Sequence, residues 1–237
     1  MPSFSNESME IECQGETLLL HPQRALYWPA QKILFVADVH VGKEHRFGRS
    51  GIAIPGGISD DVLAKLFALC EKAAAQRLIV LGDFMHSTPV AGESWLATLS
   101  HLLDKHPHLS MDIVAGNHDR LAGQVRIDSR VNWHAEELHL SPFVLKHEPD
   151  EHSEGFVLAG HLHPAWRLSQ SRRSAIKAPA FWFRKHSAVL PAFGDFTGGV
   201  TVNVNPSTDR IYLVGPSCVV NVPLRPKNHN RKDAAAS

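Results

Sequence analysis

The sequence is poor in cysteine and has no excess of either charge. Cys13, Cys70 and Cys218 are its only cysteines, and no Cys-x-x-Cys pair occurs. Three scattered cysteines argue against a disulfide framework or a zinc ribbon, and they predict reduced thiols in a cytoplasmic protein. Lys+Arg 24 balances Asp+Glu 24, which gives a formal net charge of +0. A protein that binds nucleic acid through a uniformly basic surface is therefore not indicated.

Long hydrophobic runs are also missing. No apolar run is long enough to cross a bilayer, and residues 1–16 lack the basic start and apolar core of a signal peptide. With 237 residues and 43% hydrophobic residues, the chain can still bury a sizeable core. We expect a single domain over residues 1–222 and a disordered tail over residues 223–237, and we expect no membrane partner.

Apolar segments in the first half follow an alternating order of strands and helices. Short buried-strand patterns lie at residues 33–37, 78–81 and 111–114, and helical spacing of apolar residues separates them. This order predicts parallel pairing with right-handed crossovers. Cys70 and Trp95 lie on the apolar helix faces and are expected in the core. An opening hairpin at a sheet edge is predicted at residues 17–20 and 25–28.

The second half is rich in strand patterns and has no long helix pattern between them. The predicted strands lie at residues 143–146, 156–159, 178–183, 200–203 and 211–214. Two sheets packed face to face follow from this arrangement.

Five polar motifs stand out in a chain that has 16 histidines. They are Asp38-Val-His40, Gly82-Asp83, Gly116-Asn117-His118-Asp119, His147 and Gly160-His161-Leu-His163. The first three follow consecutive predicted strands, and in a parallel sheet such strand ends meet at one edge, where ligands bind. Carboxylate, imidazole and amide ligands without thiolate favour Mn²⁺, Fe or Zn²⁺. Two such ions can clamp a phosphoryl group and activate a water molecule.

The ordered set of motifs resembles the calcineurin-like metallophosphoesterase superfamily. The resemblance implies an α/β fold, a four-layer α/β/β/α sandwich of two packed mixed sheets flanked by helices. It implies a binuclear enzyme that hydrolyses phosphodiester bonds by metal-activated hydroxide. The implied roles are one metal held by Asp38, His40 and His163, a second held by Asn117, His147 and His161, Asp83 as the bridge, and His118 as general acid tuned by Asp119.

A narrower resemblance concerns the segment Val-Ala-Asp38-Val-His40-Val-Gly-Lys43-Glu and the segment Gly82-Asp83-Phe-Met-His86-Ser. Both are similar to those of the bacterial ligase-associated DNA damage response endonucleases, a group of ICC-like phosphoesterases. This implies DNA as the substrate, Mn²⁺ as the metal, and DNA-repair ligases or helicases as partners. Lys43 and His86 become candidate substrate-binding residues.

Several interpretations stay open at this stage. His134, His139 and His152 compete with His147 for the fourth motif. Lys43, Arg46 and Arg49 could grip a phosphate backbone or be ordinary loop charges, and His86 could simply begin a helix. Phe181, Trp182 and Phe183 with nearby basic residues could form a nucleic-acid surface, although a core strand is the favoured interpretation.

The alternative functions are a phosphomonoesterase or cyclic-nucleotide phosphodiesterase that acts on a small molecule, and a non-catalytic scaffold with a vestigial metal site. A dinucleotide-binding Rossmann fold is excluded, because no Gly-x-Gly-x-x-Gly follows the first predicted strand of the alternating region.

Overall fold

The first sheet contains seven strands that lie in chain order. The structure is a computed structural model and describes residues 4–49, 51, 55–123, 127–152, 154–171, 174–194 and 197–224. The strands are β1 (Met9–Cys13), β2 (Glu16–His21), β3 (Ala25–Trp28), β4 (Ile33–Val36), β5 (Arg77–Leu81), β6 (Ser110–Val114) and β7 (Val131–His134). β1 to β4 are antiparallel and β4 to β7 are parallel. The predicted parallel pairing is confirmed.

The predicted opening hairpin exists as β2 and β3, but it does not form the sheet edge. β1 pairs with the outer side of β2 and takes the edge position. Ile11 and Cys13 are buried, whereas Glu10 and Glu12 between and before them are exposed. The glutamates made this segment look polar, although alternation of buried and exposed residues is the signature of a half-buried strand.

Helices pack against one face of the first sheet. They are α1 (Phe4–Glu7), α2 (Lys43–Arg49), α3 (Ile58–Lys72), α4 (Ser94–Lys105) and α5 (Asn117–Ala122), with a 3₁₀ turn at Pro29–Gln31. Leu66 and Cys70 of α3, with Trp95 and Leu99 of α4, are at most 2% exposed and join sheet residues such as Val80 in one cluster. The core positions predicted for Cys70 and Trp95 are confirmed.

The second sheet is built from the remaining strands. They are β8 (Glu137–Leu140), β9 (Phe143–Lys146), β10 (Phe156–Ala159), β11 (Pro164–Ser171), β12 (Ser174–Phe183), β13 (Ser187–Val189), β14 (Val200–Thr201), β15 (Arg210–Val214) and β16 (Val219–Val222). β9, β10 and β13 are parallel neighbours, whereas β12 is antiparallel to β11, β13 and β15. The sheet is therefore mixed, like the first.

A second hydrophobic cluster joins the inner faces of the two sheets. It combines Phe35 and Leu81 from the first sheet with Leu145, Leu158 and Phe181 from the second, all 0% exposed. Burying each such side chain contributes about 1.5–3 kcal/mol relative to its exposure to water. This shared core confirms that the sheets pack face to face. It also confirms the core interpretation for Phe181 and Phe183, which are at most 1% exposed, whereas Trp182 between them is only partly buried.

The fold is a sandwich of two packed mixed sheets with flanking helices, as expected. Within the described ranges no α-helix follows Ala122, so the helices described here flank the first sheet. None of the described helices combines the length and the apolar character that a membrane span requires. The boundary at residue 222 stays a prediction, and residues 225–237 of the predicted tail lie outside the described residues.

Candidate metal centre

Strand ends from both sheets bring the polar motifs together. Asp38 and His40 follow β4, Asp83 follows β5, and Asn117 begins α5 directly after β6. Backbone pairing continues past these strands, since the His40 amide donates to the Asp83 carbonyl at 2.9 Å. From the other sheet, His147 follows β9, and His161 and His163 follow β10. The expected convergence at strand ends is therefore what the fold produces.

One group of potential ligands consists of Asp38, His40 and His163. Their donor atoms lie within 4.8 Å of one another. His163 Nε2 is 3.5 Å from Asp38 Oδ1, and His163 Nδ1 is 3.2 Å from the Thr197 carbonyl oxygen. A carbonyl oxygen only accepts, so Nδ1 carries the proton in this contact. The pairing orients the ring with Nε2 toward the site, as outer hydrogen bonds do for metal-binding histidines.

A second group consists of Asp83, His147 and His161, with Asn117 beside them. His147 Nε2 lies 2.9 Å from Asn117 Oδ1, 3.0 Å from His161 Nδ1 and 3.6 Å from Asp83 Oδ2. The other nitrogen, His147 Nδ1, faces the Leu81 carbonyl at 3.3 Å. His147 is thus surrounded by acceptors and is only 2% exposed.

The arrangement of these atoms fits divalent cations. If His147 Nδ1 donates to Leu81, then Nε2 holds a lone pair that faces the oxygens of Asn117 and Asp83. Moreover, His40 Nδ1 is buried and has no hydrogen-bond partner in the described part of the chain. Converging lone pairs and an unpartnered buried nitrogen are unfavourable unless a cation lies between them.

The pKa shifts of the site residues also fit a bound divalent cation. Burial, together with the charges of His118 and His163, lowers the pKa of His40 to about 2, so that its imidazole is neutral and free to act as a ligand. Burial raises the pKa of the Asp38 and Asp83 carboxyl groups. A bound cation would reverse that preference and hold both carboxylates in their charged form.

Two glycines of the motifs leave the space that ligand side chains occupy. A Cβ atom on Gly82 would lie 1.9 Å from His147 Nδ1, and one on Gly116 would lie 2.2 Å from Asp83 Oδ1. The sequence indicated both glycines only as parts of a motif. Each lies between the end of a strand and a polar residue of the site, and that position was the signal for such a close approach.

Comparison with known proteins agrees with this geometry. Residues 31–228 match the profile of the calcineurin-like phosphoesterases. The chain belongs to this family. The Pseudomonas putida nuclease MPE has a similar structure, with 36% sequence identity and a TM-score of 0.77, and the match covers 90% of this chain and 100% of that one. A comparison with curated proteins gave no match.

Two other solved structures match with low similarity. The Escherichia coli phosphoesterase Yfce is 13% identical with a TM-score of 0.38, over 81% of this chain and 99% of that one. The Aquifex aeolicus protein AQ665 is 17% identical with a TM-score of 0.39, over 60% of this chain and 81% of that one. As a calcineurin-like phosphoesterase, the protein is a metal-dependent hydrolase that acts on phosphoester bonds.

In this phosphoesterase the rings of His118 and His86 both lie beside that of His40, with centroid distances of 5.1 and 5.6 Å. The His118 ring also stacks on His86, with centroids 5.0 Å apart. His118 Nδ1 lies 2.9 Å from the His86 carbonyl oxygen. His86 does not begin a helix, because no helix occurs between β5 and Ser94. Burial, with the charges of His118, Lys43 and Arg46, lowers the pKa of His86 to about 4.

Asp119, which the resemblance implies tunes His118, bonds backbone amides rather than the His118 ring. Its buried carboxylate accepts hydrogen bonds from the backbone amides of Phe84 at 3.1 Å, Met85 at 2.8 Å and Gly116 at 3.0 Å. Asp119 lies in the first turn of α5, where a carboxylate naturally caps the exposed amides. Burial raises its pKa to about 6 despite these three bonds. It therefore holds two loops in place, and the partner of the His118 ring is the His86 carbonyl.

The rival histidines are placed elsewhere. His134 Nε2 pairs with Asp112 at 2.7 Å, and His139 and His152 form a separate group with Glu137. None of these groups includes Asp83 or Asn117, which leaves His147 as the histidine of the fourth motif.

Basic residues near the site lie on a helix that the sequence did not indicate. Lys43 and Arg46 belong to α2, where a Gly-containing loop was expected; the side chain of Arg49 lies outside the described residues. The buried Glu44 carboxylate accepts bonds from the Ser59 amide at 2.8 Å and hydroxyl at 2.7 Å, which ties α2 to the start of α3. This tertiary anchor explains how a short glycine-containing helix forms beside the site.

Proposed function

We propose that this phosphoesterase cleaves phosphodiester bonds in DNA with two divalent cations. The observation that carries the proposal is the presence of two adjacent ligand groups, one with Asp38, His40 and His163 and one with Asp83, His147 and His161. Asp83 is the proposed bridge. Its Oδ2 lies 3.6 Å from His147 Nε2 in one group and 3.9 Å from His40 Nε2 in the other.

We propose that Asp38, His40 and His163 would hold one cation, and that Asn117, His147 and His161 would hold the other. Bound at this centre, divalent cations supply Lewis acidity and an acidified water near neutral pH. Mn²⁺ is the proposed metal because carboxylate, amide and imidazole ligands without thiolate suit it, and Fe or Zn²⁺ would use the same set. The chain itself fixes the ligand geometry through carbonyl contacts to His147 and His163.

His118 is the proposed general acid. Because its Nδ1 is oriented toward the His86 carbonyl, Nε2 of the charged ring can carry a proton toward the substrate side. Donation of that proton to the leaving oxygen completes bond cleavage. Asp119 serves as a positioning residue, since it fixes the amides of Phe84, Met85 and Gly116 around His118.

Two observations support DNA as the substrate. A solved structure with 36% identity is that of a nuclease. Lys43 and Arg46 also place positive charge close enough to affect the pKa of His86, at the position where a phosphate backbone would approach. The cytoplasmic location and the partnership with DNA-repair ligases or helicases stay predictions.

A substrate panel tests the proposal. Purified protein with added Mn²⁺, Fe²⁺ or Zn²⁺ is compared on single- and double-stranded DNA, RNA, bis-p-nitrophenyl phosphate and p-nitrophenyl phosphate. We expect cleavage of DNA and faster hydrolysis of the diester than of the monoester. His161→Ala should remove activity and bound metal, whereas the matched variant His139→Ala, outside the site, should keep both.

Each alternative has its own outcome in this panel. Hydrolysis of monoesters alone would replace the nuclease proposal with a phosphatase. Metal binding with no turnover on any ester would indicate a scaffold.

A further inference from the structure

Three aromatic rings form a row that leads away from the metal centre. The His118 ring stacks on His86 with centroids 5.0 Å apart and an interplanar angle of 23°. The His86 ring in turn stacks on Phe47, with a centroid distance of 6.2 Å and an angle of 22°. The row of nearly parallel rings ends at the phenyl group of Phe47, which is partly exposed. No role in fold or catalysis described above uses that side chain.

Phe47 is held on a fixed support. It lies on α2, which begins directly after Gly42, and the Gly42 amide donates to the Ser59 hydroxyl at 2.7 Å. The Ser59 hydroxyl also donates to the buried Glu44 carboxylate. Because Ser59 of α3 bonds both Gly42, just before α2, and Glu44 within it, the start of α2 is anchored three residues after the proposed ligand His40.

Positive charge accompanies the ring. Lys43 Nζ lies 5.9 Å from the Phe47 ring centroid, and Arg46 is exposed on the same helix. Aromatic side chains beside basic ones are the usual means of binding single-stranded nucleic acid: the rings stack on bases, and the charges follow the backbone.

We infer that Phe47 is a stacking platform for the nucleobase next to the scissile phosphate. The inference rests on the proposed function and adds a base-contacting residue to it. A nucleobase would extend the row of rings outward from Phe47, while Lys43 and Arg46 contact its phosphates.

Another partly buried aromatic residue offers a matched control. Trp182 is partly buried and has the Arg184 guanidinium 5.0 Å from its ring centroid, so it too combines an aromatic ring with a cation. Its indole Nε1, however, donates to Asp209 at 2.9 Å within the second sheet. It is therefore a structural counterpart that lacks the row of rings leading to the metal centre.

The test compares a short thymidine strand with a strand of equal length built wholly from abasic sugars. The wild-type protein should show a KM for the thymidine strand that is lower by roughly 5- to 100-fold, the range expected for one base–aromatic contact. Phe47→Ala should raise the KM for the thymidine strand to the abasic value and leave the KM for the abasic strand within about twofold. Uniform loss of binding leaves kcat unchanged. Phe47→Trp should keep the preference for the thymidine strand. Phe47→Leu, which keeps apolar bulk without a ring, should lose it. Trp182→Ala, on another surface, should keep it.

Failure of the inference differs from failure of the proposed function. If the wild-type protein cleaves both strands with equal KM and Phe47→Ala changes neither, the platform does not exist although the nuclease does. An equal rise in KM for both strands in Phe47→Ala would mean that Phe47 only supports α2, and it would also overturn the inference. If the wild-type protein hydrolyses bis-p-nitrophenyl phosphate but neither strand, DNA is not the substrate.

Discussion

Replacing Gly116 with alanine tests the metal centre through its geometry while every proposed ligand remains in place. Gly116 has φ −85 and ψ −179, a backbone conformation that alanine adopts without strain. Any effect of the substitution therefore comes from space alone. The added Cβ would lie 2.2 Å from Asp83 Oδ1 and 2.4 Å from the Asp83 backbone nitrogen.

The size of the effect follows from these distances. Real Cβ contacts essentially never fall below 3.0 Å, so the Asp83 carboxylate must move by about 0.8 Å, which exceeds the roughly 0.2 Å tolerance of a metal–ligand distance. The same movement weakens the 2.9 Å bond from the His118 amide to Asp83 Oδ1. A displacement of about 1 Å in a reacting group costs on the order of 10²-fold in rate. Overpacking also costs about 1–3 kcal/mol of stability.

The assay measures bound metal by elemental analysis together with kcat/KM on bis-p-nitrophenyl phosphate. We expect Gly116→Ala to lose metal and to fall by about 10²-fold or more in kcat/KM. Gly48→Ala is the matched control, because a Cβ on Gly48 meets nothing within 4 Å. Wild-type metal content and a rate within about threefold of wild type in Gly116→Ala would refute the geometry of the site.

Three further predictions concern single side chains. Asp83→Asn should abolish turnover and lower metal content, measured on the same assays, because Asp83 faces both ligand groups. His118→Asn should keep its metal but lose about 10²–10⁴-fold in rate on DNA, and less on nitrophenyl esters, whose leaving group needs little protonation; loss of metal would instead make His118 a ligand. Burial and the Lys72 charge lower the pKa of His21 from 6.5 to about 4. The unfolded state then binds more protons between these values, so the free energy of unfolding should fall by up to about 3 kcal/mol from pH 7 to pH 4. In His21→Phe the free energy of unfolding, measured by denaturant titration, should depend less on pH. A pH dependence equal to that of the wild-type protein would contradict the prediction.

The fold was largely predictable where hydrophobic periodicity was strong. Strands β9 and β10 have the predicted bounds, and the apolar faces of α3 and α4 lie in the core. What the sequence did not reveal depends on partners distant in the chain. β1 forms because its alternate residues find an inner face to cover, and α2 forms because Glu44 is held by Ser59 of the next helix. Local patterns of four to seven residues cannot encode such support by themselves.

The candidate site was predictable to the level of residue types but not of contacts. The strand ends brought the expected side chains together, because chain order and parallel pairing determine which loops meet. The resemblance implied that Asp119 tunes His118, yet the Asp119 carboxylate bonds backbone amides rather than the His118 ring. A carboxylate near the N-terminus of a helix has backbone amides within reach, and these outcompeted the neighbouring ring. Likewise, the row from His118 through His86 to Phe47 joins three separate segments, and no motif spacing could indicate it.

Backbone strain is concentrated at the proposed ligands. Asp38 and His40 both have φ 54, Asp83 has φ 49, His161 has φ 69 and His163 has φ 45, all in the left-handed region. For residues other than glycine this conformation costs on the order of 1–3 kcal/mol each, and it persists only where the surrounding structure imposes it. Asp and His are among the residues that tolerate it best. The motifs thus meet two requirements at once, because the residue types that can hold a divalent cation are also those that allow the chain to turn sharply at the strand ends. A hydrophobic substitution at any of these positions would remove a ligand and increase the strain, whereas asparagine would keep the turn and isolate the loss of the ligand.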